Sequence, residues 1–269
     1  MSGLEAHYSA PDIEARILAA LRAAGLNHEQ RLPPKALGAL DHFHTGGFLA
    51  SRELLERAQI RAEDRVLDIG AGLAGPARLL ASTHGCRVDC LEMSLDFCAA
   101  AVLLNRLTGL DDRIEVHQGS ALDMPFADDS FDVAWMQNVG MNIADKRKLY
   151  GEIYRVLKPG GRFAFQEMAA GEGALSCFPL PWATDPADSF LASVDEMCSI
   201  LGESGFVVEL LEDTSDEHLR RTANNATPAV PGQLDLTVFV DNLAQKSANA
   251  RRSLEEGRIR LVRGVFRRK

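Results

Sequence analysis

Cysteine is scarce in this chain and poorly placed for pairing. Five occur (Cys86, Cys90, Cys98, Cys177 and Cys198), an odd count with no C-x-x-C spacing. That argues against a disulfide framework and a structural zinc site, and the cluster Cys86, Cys90 and Cys98 reads as buried free thiols in a strand and helix. Long apolar runs are also missing. None approaches the roughly 18 residues a membrane span needs. The stretch MSGLEAHYSAPDIEARIL carries charges and no apolar h-region, so no signal peptide is read there and a cytoplasmic place is expected. Basic charge is in short supply: 29 Lys and Arg against 38 Asp and Glu give a net charge of −9. A nucleic-acid binder shows a basic face, so nucleic acid is not an expected partner. No internal repeat or low-complexity tract occurs. What is there is an ordinary globular composition, 46% hydrophobic and 25% charged, sufficient for one large domain or two small ones.

The chain changes texture near residue 60. Before it, DIEARILAALRAA (12–24) sets Ile13, Ile17, Leu18 and Leu21 on one helical face. FLASRELLERAQ (48–59) reads as a second helix, with the polar joint LDHFHTGG between them. From residue 65, short apolar runs alternate with helical stretches. RVLDIG, CRVDCLEM, RIEVHQG, FDVAWMQ and RFAFQEM read as strands. PARLLASTHG, SLDFCAAAVLLNRLTG and KRKLYGEIYRVLKPGG read as helices. This alternation predicts parallel βαβ units in a doubly wound sheet. Later come a helix (193–205), a strand (206–213), a long helix (234–257) and a last strand (258–268). Residues 171–192 and about 213–235 fit no element and read as binding loops or lids. The expected organisation is an N-terminal helical cap, 1–60, on a ligand-binding domain, 61–269.

The central motif is VLDIGAGLAG. Gly70, Gly72 and Gly75 make G-x-G-x-x-G directly after a strand, where glycine allows a tight turn and close backbone approach to a ligand. Glu92 ends the next strand, where a carboxylate suits two ribose hydroxyls. Alone this fits a nicotinamide dinucleotide and S-adenosyl-L-methionine (SAM) about equally. Asp68, two residues before the first glycine, separates them. A carboxylate there attracts the ammonium and sulfonium of SAM and repels a pyrophosphate. Capping of the loop's N–H groups is the plain alternative for Asp68.

The segments QGSALDMPFADDSFDVAW and YRVLKPGGRF follow in the order and spacing of landmarks in class I SAM-dependent methyltransferases, and the chain resembles that family. DHFHTGG, QNVGMNIADK, FPLPWATDP and LEEGRIRLVRGVFRR together resemble the sarcosine/dimethylglycine type of small-molecule methyltransferase. The resemblance implies a seven-stranded, mostly parallel sheet with the last strand antiparallel. It implies SAM as cofactor, a small-molecule acceptor and, as a further expectation, a homodimer. It places the adenine at Ser120, Ala121 and Leu122, with Met93, Gly70, Ala71 and Gly72 also at the cofactor and Tyr8 closing over it. Two positions depart from the pattern. Ser120 stands where an Asp is usual, and Asn138 where a His is common.

Side chains at strand ends are the remaining candidates. Gln137 is expected to hold the methionine part of SAM and Asn138 the acceptor, unless both only cap a loop. Glu167 is read as a catalytic base or an anion for a cationic acceptor, with a structural ion pair as the alternative. His44 is read as a second catalytic candidate, and His42 as structural. Phe178, Trp182 and Phe190 flank PLPWATDP and read as acceptor-pocket walls or as pins for the loop. Two other readings stay open: an NAD-dependent oxidoreductase, for which no Tyr-x-x-x-Lys pattern is present, and a protein that binds SAM without catalysis.

Overall fold

The computed structural model describes residues 11–173, 175–223 and 234–269. Helices α1 (Ile13–Ala23) and α2 (Gly47–Ala58) precede the first strand. Then follow β1 (Arg65–Ile69), α3 (Gly75–His84), β2 (Arg87–Glu92), α4 (Leu95–Thr108), β3 (Ile114–Gln118), β4 (Phe131–Gln137), α5 (Lys146–Val156) and β5 (Leu157–Ala170). The chain continues through α6 (Val194–Glu203), β6 (Phe206–Asp213), α7 (Ser215–Thr222), α8 (Leu243–Glu255) and β7 (Ile259–Arg268). The strands form one seven-stranded sheet in the order β3-β2-β1-β4-β5-β7-β6. Strands β1 to β5 pair in parallel, and β7 runs antiparallel to β5 and β6. The expected doubly wound, mostly parallel sheet is therefore what forms.

The inner strands are apolar because both their faces are covered. Leu67, Ile69, Ala134 and Met136 pack in one cluster with Leu149, Ile153 and Val156 of α5 and Leu201 of α6. Val66, Val88, Val133 and Trp135 pack in another with Leu54 of α2 and Leu80 of α3. Helix α1 belongs to a third cluster. Its Ile13, Ile17 and Leu21 bury against Ala100 and Leu104 of α4.

Three boundaries differ from the sequence reading. Helix α5 ends at Val156, and LKPGG opens β5 instead of closing the helix. Lys158 precedes Pro159, and a residue before proline is pushed out of the helical region. The expected long helix over 234–257 is broken: a short 3₁₀ turn covers Leu236–Val238 and α8 starts only after Asn242. Asn242 sits at φ +54, a left-handed conformation that asparagine tolerates better than most residues. The expected loop 213–235 begins with α7, whose only buried residue is Ser215. A helix without an apolar face leaves no periodic signal. Residues 171–192 hold no helix or strand among those described, apart from the 3₁₀ turn Pro186–Asp188.

Candidate active site

The chain runs outward from β1 to β2 and β3, then returns to β4 on the other side of β1. Doubly wound sheets bind ligands at the carboxyl ends of strands where the order reverses in this way. A cavity of about 350 Å³ lies there. The tips of β1 and β2 contribute Asp68, Gly70, Ala71, Gly72, Glu92 and Met93 to its wall. The turn after β3 adds Ser120 and Ala121, the end of β4 adds Gln137 and Asn138, and the N-terminal joint adds His44.

The three glycines of the motif do different things. Gly70 has φ +65, and a Cβ there would lie 2.4 Å from Cγ2 of Val139. Gly72 has φ +53 with open space around it, so its backbone conformation alone favours glycine. At Gly75 a Cβ would lie 2.1 Å from the carbonyl oxygen of Asp41. The third glycine thus lets the N-terminal joint press onto the start of α3.

Two buried carboxylates face the cavity. Glu92 accepts the N–H of Gly72 on Oε2 and of Ser94 on Oε1, at 2.9 and 2.8 Å. Its burial lifts its pKa above the ordinary carboxylate value. Each carboxylate oxygen can accept more than one bond, so both keep capacity for a ligand. Asp68 accepts the backbone N–H of Ala77, which caps α3. Its Oδ2 is buried with no partner. Burial, reinforced by the charge of Glu92, pushes the Asp68 pKa up to about 8. An unpartnered buried carboxylate oxygen is costly, and a cationic ligand group would relieve it.

Beyond the strand tips, the wall is organised by a chain of hydrogen bonds. The Trp135 indole N–H and the Ser51 hydroxyl both donate to Oε1 of Gln137, at 3.0 and 2.8 Å. With its proton so committed, Ser51 Oγ accepts from His44 Nε2 at 2.9 Å. His44 is therefore the Nε2–H tautomer, and its Nδ1 carries the lone pair. Nδ1 has Gln137 Nε2 at 3.5 Å. Burial and the neighbouring His42 push the His44 pKa down to about 3, so the ring is neutral near pH 7. Asn138 takes φ +53. Its N–H donates to the Gln166 carbonyl at 2.8 Å, and its side chain exchanges long bonds with Thr45 and Gln166.

Several residues singled out from the sequence lie elsewhere. Glu167 is buried behind the wall and is not part of it. Its Oε1 accepts the N–H groups of Val139 and Gly140, both at 2.9 Å. Burial, against those bonds, raises its pKa to about 7. The geometry gives it a turn to hold and no cavity surface, which removes the ground for reading it as a base in contact with an acceptor. Trp182 and Phe178 pack with Met141, Met168 and Leu180 instead of facing the cavity. Trp182 donates to Ser189 Oγ at 3.0 Å. They pin the 171–192 stretch, whereas Phe190 does reach the cavity wall. Tyr8 lies outside the described residues. Ser120 Oγ accepts the Leu122 N–H at 3.1 Å.

Sequence reasoning missed Asp41, Phe43, Phe97, Asn142 and Ile143, which also line the cavity. Asp41 is part of a buried network. Arg78 Nη2 donates to its Oδ2 at 2.7 Å, and His42 Nδ1 lies 2.7 Å from its Oδ1. Burial would raise the Asp41 pKa, but Arg78 and His42 hold it below the ordinary value. Nothing local in sequence links residues 41 and 78. The signal available was weaker: an arginine inside an otherwise apolar helix start, GPARLLA, needs a carboxylate.

Residues 67–165 match the methyltransferase domain family. The chain is similar to a glycine/sarcosine/dimethylglycine N-methyltransferase of Actinopolyspora halophila, 40% identical over 44% of this chain and 21% of the relative. It is 30% identical to methyltransferase GfsG of Streptomyces halstedii over 71% of this chain and 69% of that protein. The chain thus spans only part of the length of the curated relatives it matches, about a fifth of the first. In fold it is similar to a solved phosphoethanolamine N-methyltransferase 2 of Haemonchus contortus in complex with S-adenosyl-L-methionine. That structure has a TM-score of 0.72 at 19% identity, over 100% of this chain and 60% of the other.

Proposed function

The chain belongs to the SAM-dependent methyltransferases, and from that premise we propose that it methylates a small-molecule acceptor in the cavity at the tips of β1 and β4. The observation that carries the reading is Asp68 Oδ2, a buried carboxylate oxygen without a partner, beside the second carboxylate of Glu92 on the same wall. An unpartnered carboxyl oxygen that ionises as a cation approaches, beside the Glu92 carboxylate, fits a cationic cofactor and opposes a pyrophosphate, which disfavours an NAD-dependent oxidoreductase.

SAM, when bound, supplies a methyl group on a sulfonium. The protein then has to bind, orient and exclude water. We assign Asp68 to the ammonium of the cofactor and the remaining lone pairs of Glu92 to the ribose hydroxyls. Met93, Ala121 and Ser120 hold the adenine, and Gly70, Ala71 and Gly72 let the backbone approach. Gln137 anchors the wall through Ser51 and Trp135. His44 and Asn138 face the acceptor. With its pKa near 3, His44 does not serve as a base and shapes the wall through Ser51 and Gln137. Glu167 is a positioning residue for the 139–140 turn. Residues 171–192 act as a lid, supported by Phe190 on the cavity wall and by its carbonyl, which accepts from Lys146 at 2.6 Å.

Names of relatives point to differing acceptors, from amino acids to phosphoethanolamine, so the choice has to come from this chain's own wall. We place the protein in the cytoplasm, working on a diffusible molecule. No described helix is long and apolar enough to cross a membrane. A pairing of two copies is part of the reading, supported by the edge strand β6 with exposed Val208 and Leu211. Thermal denaturation tests the cofactor assignment. S-adenosylhomocysteine (SAH) is expected to raise the melting temperature and NAD to leave it unchanged. The reverse result ends the methyltransferase reading.

A further inference from the structure

Resting on the methyltransferase reading, we infer that the acceptor is electrically neutral: an apolar molecule presenting hydroxyl, carbonyl or uncharged amine groups, and neither a carboxylate nor a phosphate. The wall carries the argument. Its charged side chains are Asp41, Asp68 and Glu92, all acidic. Asp41 is held by Arg78 and His42, and the other two stand at the cofactor end. The wall away from the strand tips also includes His44, Asn138, Phe43, Asn142, Ile143 and Phe190. No lysine or arginine occurs among the described wall residues. Residues 1–10, 174 and 224–233 contain none either, so the undescribed parts of the chain add no lysine or arginine.

Two cations are bonded to wall residues, and neither lines the cavity. Arg78 donates to the side chains of Asp41 and Asn105 and to the Leu73 carbonyl. Lys146 donates to the carbonyls of Ile143 and Phe190. Backbone N–H groups could replace a cation in holding an anion, and the turn after β4 offers two. The protein's own Glu167 already occupies them. An anionic acceptor would enter a cavity whose described wall offers it no lysine or arginine, and would lose its hydration there. This separates the chain from amino-acid and phosphorylated acceptors.

The test uses full-length protein saturated with SAH and a library of matched pairs, each a carboxylic acid or phosphate monoester beside its methyl ester or parent alcohol. Binding is read by thermal shift and titration calorimetry. Neutral members are expected to supply the hits and to bind roughly tenfold or more tightly than their anionic partners. Phe190→Arg, which puts a cation on the wall, is expected to narrow or invert that preference. Hits dominated by acids, equal binding within pairs, or a library without a neutral hit overturns the inference. Failure of SAH itself to bind is a separate outcome, because it removes the methyltransferase reading before any acceptor is added.

Discussion

At the β1–β2 end of the cavity, two buried carboxylates face the opening with no cation on the described wall. At the other end the wall is imidazole, amide and hydrocarbon. The ends also differ in how the chain makes them. The acidic end comes from a continuous stretch, 68–93, in which a strand, a glycine turn, a helix and a second strand follow directly. The neutral end is assembled from residues 43–44, 138–139, 142–144 and 190, which meet only in the folded state. The first can be described in terms of a motif. The second is a product of tertiary packing, and its chemistry is set by which polar groups the protein has already satisfied.

The largest expected effect of a substitution lies at the acidic end. Glu92→Ala removes an acceptor that the Gly72 and Ser94 N–H groups share with the ligand. SAH affinity measured by calorimetry is expected to fall about 10- to 100-fold, the worth of charge-assisted bonds, with acceptor KM unchanged. Unchanged SAH affinity would break the division of the cavity into two ends.

Asp68→Asn comes next. SAH binding is expected to weaken about tenfold, while the unliganded protein becomes more stable. The sign follows from linkage. Asp68 is raised from 3.8 to about 8 on folding, so the stability it contributes is complete below about pH 4 and is lost as pH rises through about 8. The melting-temperature advantage of Asp68→Asn over wild type is expected to grow between pH 5 and pH 8 and to level above that. A constant difference across this range would mean that Asp68 is ionised throughout.

The smallest effect belongs to the neutral end. Asn138→Gly keeps the left-handed backbone and removes the amide. Acceptor kcat/KM is expected to fall about threefold to tenfold, the loss of one neutral hydrogen bond, with SAH affinity unchanged. A parallel loss of SAH affinity would move Asn138 to the cofactor end.

The same contrast explains how much could be read in advance. Apolar runs ending at glycine report buried parallel strands, so the sheet and the positions of Asp68, Gly70, Gly72 and Glu92 follow from local pattern. Glu167, Phe178 and Trp182 read from the sequence as site residues and lie off the cavity wall. Periodicity reports that a side chain is buried and says nothing of whether it meets a void or another side chain. For Glu167 the deciding partners are the N–H groups of Val139 and Gly140, which carry no side-chain signature. Asp41 reaches its partner Arg78 across 37 residues, and polar α7 has no hydrophobic period to find.

The pair of Asp41 and Arg78 has a consequence for how the molecule comes apart. Both side chains are 1% exposed, and the contact ties the segment before α2 to the first turn of α3. Deleting one member of such a buried pair strands the other charge, at about 3–5 kcal/mol. Unfolding of the N-terminal segment therefore carries that cost into the sheet's first helix. The texture change near residue 60 marks a seam in composition, and a single melting transition is expected across it.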